Sequence, residues 1–281
     1  MKPAQTILIL GGNELASATA LELVQAGFAV MLYVSPDETY LRYPLCFGEA
    51  LRAGQKTIGD LTASIIPEEK LAQIQGKTFA EKMIQVAQFL LLDRMLPVLS
   101  DVPLRELLAV LETVIVINTL PEETLKLPED AANGIFLGCF PEHRGHSQYR
   151  LLVETRWNYQ LGKIVPPDAE DLHKHRLDPH FFHFPFQTCH TPIEGLWVSV
   201  KEIGETIRYN EAIGKVDAIE IRSPYDGQLW GITHSGQFVA AGQNVALIYT
   251  GRPTEFYRDY SFQERAVARG FLSAVLKLIR Q

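Results

Sequence analysis

Apolar residues in this chain come first as short runs separated by helix-period stripes. Ile7-Leu8-Ile9-Leu10 is a compact apolar run, and Gly11-Gly12-Asn13 follows it as a tight turn. Leu15, Ala16, Ala20, Leu23 and Val24 then recur at helical spacing, Gly27 stops the helix, and Phe28 to Val34 forms a second run. Strand, glycine turn, helix and strand in this order predict the first unit of a doubly wound parallel sheet.

The alternation continues to about residue 140. Ser35 to Tyr43 is a polar loop holding Arg42, and Leu45 to Ala53 predicts a short helix closed by Gly54. Thr57, Ile58, Leu61 and Ile65 suit short strands around Gly59-Asp60. Pro67 opens a further helix, with Glu68 and Glu69 near its positive end. Phe79 to Leu91 is a second helical run, and Leu92 to Val98 fits either period. Pro103 to Leu111 predicts an amphipathic helix capped by Asp101, with Leu104, Leu107, Leu108 and Leu111 on one face. Val114 to Ile117 and Gly134 to Phe140 predict buried strands.

Beyond residue 140 the pattern changes. Tyr149 to Thr155 and Gly162 to Val165 predict two strands, and Pro166 to Pro192 is a long loop. Leu196 to Ile248 predicts β structure with turns at Gly204, Gly214, Asp226-Gly227, Ser235-Gly236 and Gly242. Phe262 to Ile279 predicts one helix. The expected fold class is α/β: a Rossmann-like parallel sheet, a small C-terminal all-β barrel-sandwich-like module and a terminal helix. The expected boundaries are 1–195, 196–255 and 256–281.

Composition narrows the function classes. The 281 residues are 47% apolar and 21% charged, with a formal net charge of −7. That charge disfavours broad binding to nucleic acid or to an anionic membrane. Cys46, Cys139 and Cys189 lie far apart with no paired motif, and Met1-Lys2-Pro3 runs straight into a strand with no signal-like segment. A reducing cytoplasm is expected. The apolar runs are too short to span a bilayer.

The candidate chemistry begins at the first turn. A strand feeding a helix N-terminus offers amide donors to an anion, usually a phosphate. In the frame of the dinucleotide fingerprint the chain presents Gly11, Asn13 and Ala16, with Asn13 where the second glycine belongs. Val34-Ser35-Pro36 stands where the ribose-binding acid is expected, with Asp37 and Glu38 just beyond. A nucleotide-dependent oxidoreductase or transferase using Gly11-Gly12 is one reading; a scaffold turn that packs on protein or holds a smaller anion is the other, and the missing glycine favours it.

Three further features bear on its chemistry. His173, His175, His180 and His183 have spacings that can ligate a divalent metal, with Cys189-His190 nearby. The spacing fits no tight template, and the aromatic run Phe181-Phe182 and Phe184-Pro185-Phe186 suits an interface patch with a partner or a second copy. Pro224, Gly227, Gly236, Val239 and Gly242 follow the first half of a biotinyl/lipoyl-type domain. Arg252 occupies the place of the modified lysine, so neither biotin nor lipoate is expected there. Glu154 and Arg156 flank Thr155 as a catalytic pair or, preferably, a strand-end ion pair. No hydrolase, zincin or Walker template is present, which leans away from catalysis.

Taken in order, these motifs resemble the selenium-dependent molybdenum hydroxylase system protein family, the molybdenum hydroxylase accessory proteins, as a divergent member. The resemblance is carried by Gly11-Gly12 with Leu15-Ala16-Ser17, by Arg42, by Val153-Glu154-Thr155-Arg156 with Leu161-Gly162-Lys163-Ile164, and by the Pro224 to Gly242 stretch. It implies a non-catalytic accessory or maturation protein that contacts a molybdoenzyme or a cofactor-biosynthesis protein. Its motifs make Gly11, Gly12, Asn13, Arg42, Glu154 and Arg156 the candidate cofactor-binding residues, for a nucleotide or a molybdopterin-type ligand. The chain departs from the family at Asn118-Thr119-Leu120 and at Gly138 to His146, where polar and glycine positions have changed. Those departures imply altered or lost ligand binding.

Overall fold

The computed structural model describes residues 6–111, 114–121, 124–128, 134–170 and 185–280. The chain divides into two compact units. The larger comprises Met1–Glu38, Cys46–Leu177 and Ser261–Gln281, and the smaller Thr39–Leu45 and Asp178–Tyr260.

The larger unit is built on a nine-stranded sheet. In chain order its elements are β1 (Thr6–Leu10), α1 (Glu14–Gln25), β2 (Ala29–Tyr33), α2 (Ala50–Ala53), β3 (Gln55–Ile58), β4 (Leu61–Ile65), α3 (Glu68–Ala72), α4 (Phe79–Leu92), β5 (Leu96–Leu99), α5 (Leu104–Val110), β6 (Val114–Asn118), β7 (Gly134–Phe140), β8 (Tyr149–Glu154) and β9 (Ile164–Val165). The strand order is β3-β4-β5-β2-β1-β6-β7-β8-β9. Strands β4 to β8 run parallel, while β3 and β9 pair antiparallel at the two edges. The sheet is therefore mixed rather than wholly parallel. Short returns at Gly59-Asp60 and after Gly162 bring the edge strands back on their neighbours.

Alternation along the central strands explains the packing. Ile7 and Ile9 face one side with Val30 and Leu32, where Ala16, Ala20 and Leu23 of α1 cover them. The closing helix of the chain, Phe262–Ile279, lies on that same side with Val267, Phe271, Ala274 and Val275 fully buried. Leu8, Leu10 and Met31 face the other side, beneath Met83, Ile84 and Leu90 of α4 and Leu107 and Leu108 of α5. Successive strand residues point to opposite faces, so a strand covered by helices on both sides is apolar throughout.

Several local expectations change. Asp101 does not cap α5: Pro103 holds the cap position without a side-chain bond. Asp101 lies two residues earlier in the left-handed region, with φ 57°. Leu45 to Ala53 is two 3₁₀ turns and the single turn α2, because Pro44 and Gly48 interrupt the helical register.

The smaller unit holds β10 (Phe186–His190), β11 (Gly195–Ser199), β12 (Thr206–Ile207), β13 (Ala212–Val216), β14 (Ile219–Arg222), β15 (Gly227–Ile232), β16 (Phe238–Val239) and β17 (Asn244–Tyr249). They form two four-stranded sheets, β10-β17-β15-β12 and β14-β13-β11-β16, around a core centred on the fully buried Trp197. No closed barrel forms among the described residues. Gly214 lies inside β13 at a register shift rather than in a turn. A Cβ there would collide with the Trp197 ring, so the indole dictates this glycine.

Candidate functional site

In the larger unit the chain leaves β1 towards β2 on one side, and β6 lies on the other. Where neighbouring crossovers part in this way, a crevice opens outside the carboxyl ends of the strands. Here it is a cleft of about 390 Å³. Tyr33, Ser35 and Pro36 come to it from the end of β2, and Asp101, Val102 and Pro103 from the end of β5. Leu120, Thr124 and Leu125 come from the segment after β6.

The glycine turn at the end of β1 is tightly specified. Gly11 has φ 109°, and a Cβ on it would lie 2.8 Å from Thr119 Oγ1 and 2.9 Å from Leu120 Cδ2. Asn13 caps α1 by accepting the Ala16 N–H at 2.9 Å. The Gly12 N–H donates to Glu38 Oε2 at 2.9 Å, and the Ser35 N–H donates to Glu38 Oε1 at 3.0 Å. The chain's own carboxylate thus sits on the amide that a phosphate would claim. The oxidoreductase or transferase reading through Gly11-Gly12 is corrected on this ground: a dinucleotide would have to displace a like charge from its own donor.

Beside the cleft lies a buried polar cluster. Asn118, His143 and Tyr149 are all at least 95% buried. The Cys139 N–H donates to His143 Nδ1 at 2.9 Å, so the ring proton is on Nε2, which donates to the Leu120 carbonyl at 3.0 Å. Asn118 Oδ1 accepts the Leu120 N–H at 3.0 Å, and its amide nitrogen donates to the Tyr149 hydroxyl at 2.8 Å. His143 stacks on Tyr149 with ring centroids 4.5 Å apart. Both backbone groups of Leu120, a wall of the cleft, are therefore held by one buried cluster. Asn118 and His143 belong to the separate stretches Asn118-Thr119-Leu120 and Gly138 to His146. Neither stretch by itself signals that they meet. Cys139, adjacent, is buried, and desolvation first, then the Glu142 carboxylate, pushes its thiol well above the usual range, which disfavours the thiolate.

Asp101 is exposed, and Ser100 donates its hydroxyl to Asp101 Oδ2 at 2.6 Å. The Tyr33 hydroxyl donates to the Val102 carbonyl at 3.0 Å. Burial first, then the Asp101 carboxylate, pushes the Tyr33 phenol above its ordinary value.

The remaining candidates lie elsewhere. Glu154 and Arg156 stand at the end of β8, with β6 and β7 between them and β1. Arg156 forms a two-pronged pair with Glu154, Nε to Oε1 at 3.0 Å and Nη2 to Oε2 at 2.9 Å, and its own N–H also donates to Oε1. The next residues anchor the closing helix: Gln263 donates to the Thr155 carbonyl, and Trp157 stacks on Phe262. Arg42 belongs to the smaller unit, where it donates to the Asp259 carbonyl and lies 5.8 Å over the Trp230 ring. His173, His175, His180 and His183 lie outside the described residues. Among the described residues no group of three or more His, Cys, Asp or Glu is placed to hold a metal. No helix among them is long and apolar enough to cross a membrane.

No family model matches the chain. It is similar to the uncharacterized protein YqeB of Escherichia coli (strain K12), 23% identical over 287 residues, covering 100% of this chain and 50% of that protein. The chain thus spans about half the length of the curated relative it matches. Among solved structures it is similar to the ectoine utilization protein EutE (DoeB) of Ruegeria pomeroyi in its product-bound form. There the identity is 12%, the TM-score 0.26, and the coverage 88% of this chain and 86% of that one. A succinylglutamate desuccinylase from Silicibacter sp. gives 14%, 0.25, 87% and 84%. An aspartoacylase family protein from Mesorhizobium loti gives 12%, 0.24, 89% and 87%. At these scores the likeness carries no activity to this chain. None of these proteins is described as a molybdenum hydroxylase accessory protein, and the solved structures are desuccinylase, aspartoacylase and ectoine utilization proteins. The assignment to that family is corrected accordingly, and the accessory role and selenium-dependent system that it implied are withdrawn with it.

Proposed function

We propose that the protein binds a small molecule in the cleft at the carboxyl ends of β2, β5 and β6. The observation that carries this is Asp101: a non-glycine residue in the left-handed region, its carboxylate fixed by Ser100, at the edge of a preformed cleft. Strained backbone persists where the surroundings over-determine it, and such positions cluster at binding sites. Rigid walls support the same reading, since Leu120 is held through both of its backbone groups. The volume falls in the range of small-ligand pockets.

Finer readings go with it. The strand order β5-β2-β1-β6-β7-β8 supports a Rossmann-like description of the larger unit, and the two small sheets around Trp197 support a barrel-sandwich-like description of the smaller. Three buried free thiols support a cytoplasmic setting. The net charge of −7 supports a partner that is neither nucleic acid nor membrane.

The test is a thermal-shift screen of uncharged, cationic and anionic small molecules on the full chain and on Leu125→Trp, which fills the cleft from a half-buried position. A ligand at about 100 times its dissociation constant adds about 2.7 kcal/mol of stability. The shift should vanish in the variant. A shift of equal size in Leu125→Trp would refute the assignment.

A further inference from the structure

Hydrogen-bond bookkeeping around the cleft restricts what can enter it. At the carboxyl end of β1 the Gly11 N–H donates to the Tyr33 carbonyl, and the Gly12 N–H to Glu38. At the end of β2 the Val34 N–H donates to the Leu99 carbonyl, and the Ser35 N–H to Glu38. After β6 the Thr119 N–H donates to the Leu10 carbonyl, and the Leu120 N–H to Asn118 Oδ1. Each of these six amides is spent on a protein acceptor. The Tyr33 hydroxyl is spent as well, on the Val102 carbonyl.

Charge points the same way. Of the residues lining the cleft, Asp101 is the one with a formal charge, and it is negative. No lysine, arginine or histidine is among them. Tyr33 lines the same cleft, and its phenol is raised by burial first and by the Asp101 carboxylate second. Its remaining walls are largely aliphatic, with Val102, Pro103, Leu120 and Leu125. A guest must therefore bring its own donors and a positive charge, on a short apolar body.

We infer that the cleft takes a small aliphatic amine as its ammonium ion, with Asp101 as the counter-charge. This rests on the reading of the cleft as the ligand site and adds the class of ligand. Glu38 contributes by occupying the Gly12 and Ser35 amides, where a phosphate or carboxylate would otherwise be received.

The experiment uses three matched probes, butylammonium, butanol and butyrate, titrated into the full ¹⁵N-labelled chain while the amides of Ser35, Asp101 and Leu120 are followed. Butylammonium should move these amides and bind about tenfold more tightly than butanol, with butyrate not binding. In Asp101→Asn the preference for the ammonium should disappear. Asparagine is at home in the left-handed region, so that variant keeps the backbone; Asp101→Glu, which keeps the charge, should retain the preference in part. Equal binding of all three probes, or a preference that survives Asp101→Asn, would overturn the inference and leave the cleft as a ligand site. Silence of the cleft amides to all three overturns the inference as well, and the thermal-shift screen with Leu125→Trp then decides separately whether the cleft binds anything.

Discussion

Replacing Glu38 with alanine tests the glycine turn directly. The carboxylate accepts two N–H groups, from Gly12 at 2.9 Å and from Ser35 at 3.0 Å, and so ties the end of β1 to the segment after β2. A hydrogen bond to a charged group is worth about 1.5–3 kcal/mol when buried. Glu38 is only half-buried, so water can replace it and the charge is screened. The pair should then contribute about 1–3 kcal/mol, a factor of roughly 5 to 150 in the folding equilibrium. Urea unfolding of Glu38→Ala against the parent measures this. The variant also uncovers two adjacent amides beside the N-terminus of α1, the geometry that attracts anions. Sulfate should therefore restore much of the loss in Glu38→Ala and do far less for the parent. A loss below about 0.5 kcal/mol, within the ordinary range of surface substitutions, would refute the carboxylate's role. So would an equal response of the two proteins to sulfate.

Two other expectations follow from the geometry. Gly138→Ala would place a Cβ 2.5 Å from His143 Nδ1 and 2.8 Å from the Tyr149 ring. Because both rings are buried, overpacking should cost about 1–3 kcal/mol by urea unfolding, and a neutral result would show that the cluster yields. The second concerns pH. The Thr78 backbone N–H first, then its hydroxyl, holds the exposed Glu81 carboxyl below its ordinary range in the capping box of α4. A depressed carboxyl stabilises the fold at pH values above the unfolded value of about 4.3, and that contribution fades as pH falls through the depressed value. Carboxyl NMR titration should place Glu81 below the free glutamate value, and Thr78→Ala, which removes the hydroxyl but keeps the N–H, should raise it in part; an unmoved midpoint would contradict the hydroxyl's share in the capping box.

The parts of the fold that could be read from the sequence are those governed by local spacing. Ile7 to Leu10, the Gly11 turn and the α1 stripe predict β1-α1-β2, and the structure contains it because each feature acts within one element. The stretch from Leu92 to Val98 was ambiguous because Pro97 sits inside β5, where a proline is unusual for an interior strand. Asp101 was read as a cap because its residue type suits that role, but Ser100 and the left-handed backbone draw it elsewhere. The candidate site was least legible. Glu38 reaches Gly12 across 26 residues, and His143 meets Asn118 across 25. No periodicity encodes such pairings. Asn13 reads in the sequence as a missing glycine, whereas in the fold its side chain caps α1 and Glu38 occupies the neighbouring donor.

The threading of the chain has a practical corollary. Residues 39–45 join the smaller unit long before its main body is made, and Arg42 finds the Asp259 carbonyl at a separation of 217 residues. Leu41 accepts the Ile232 N–H, and Tyr43 stacks on His234. A fragment starting near residue 185 would lack this short strip, and a fragment ending there would lose the closing helix that packs on α1 and β8. Gene dissection therefore has no single clean cut. Ring closures of this span also slow folding, so a nascent chain must hold the early strip in reserve until its late partners emerge.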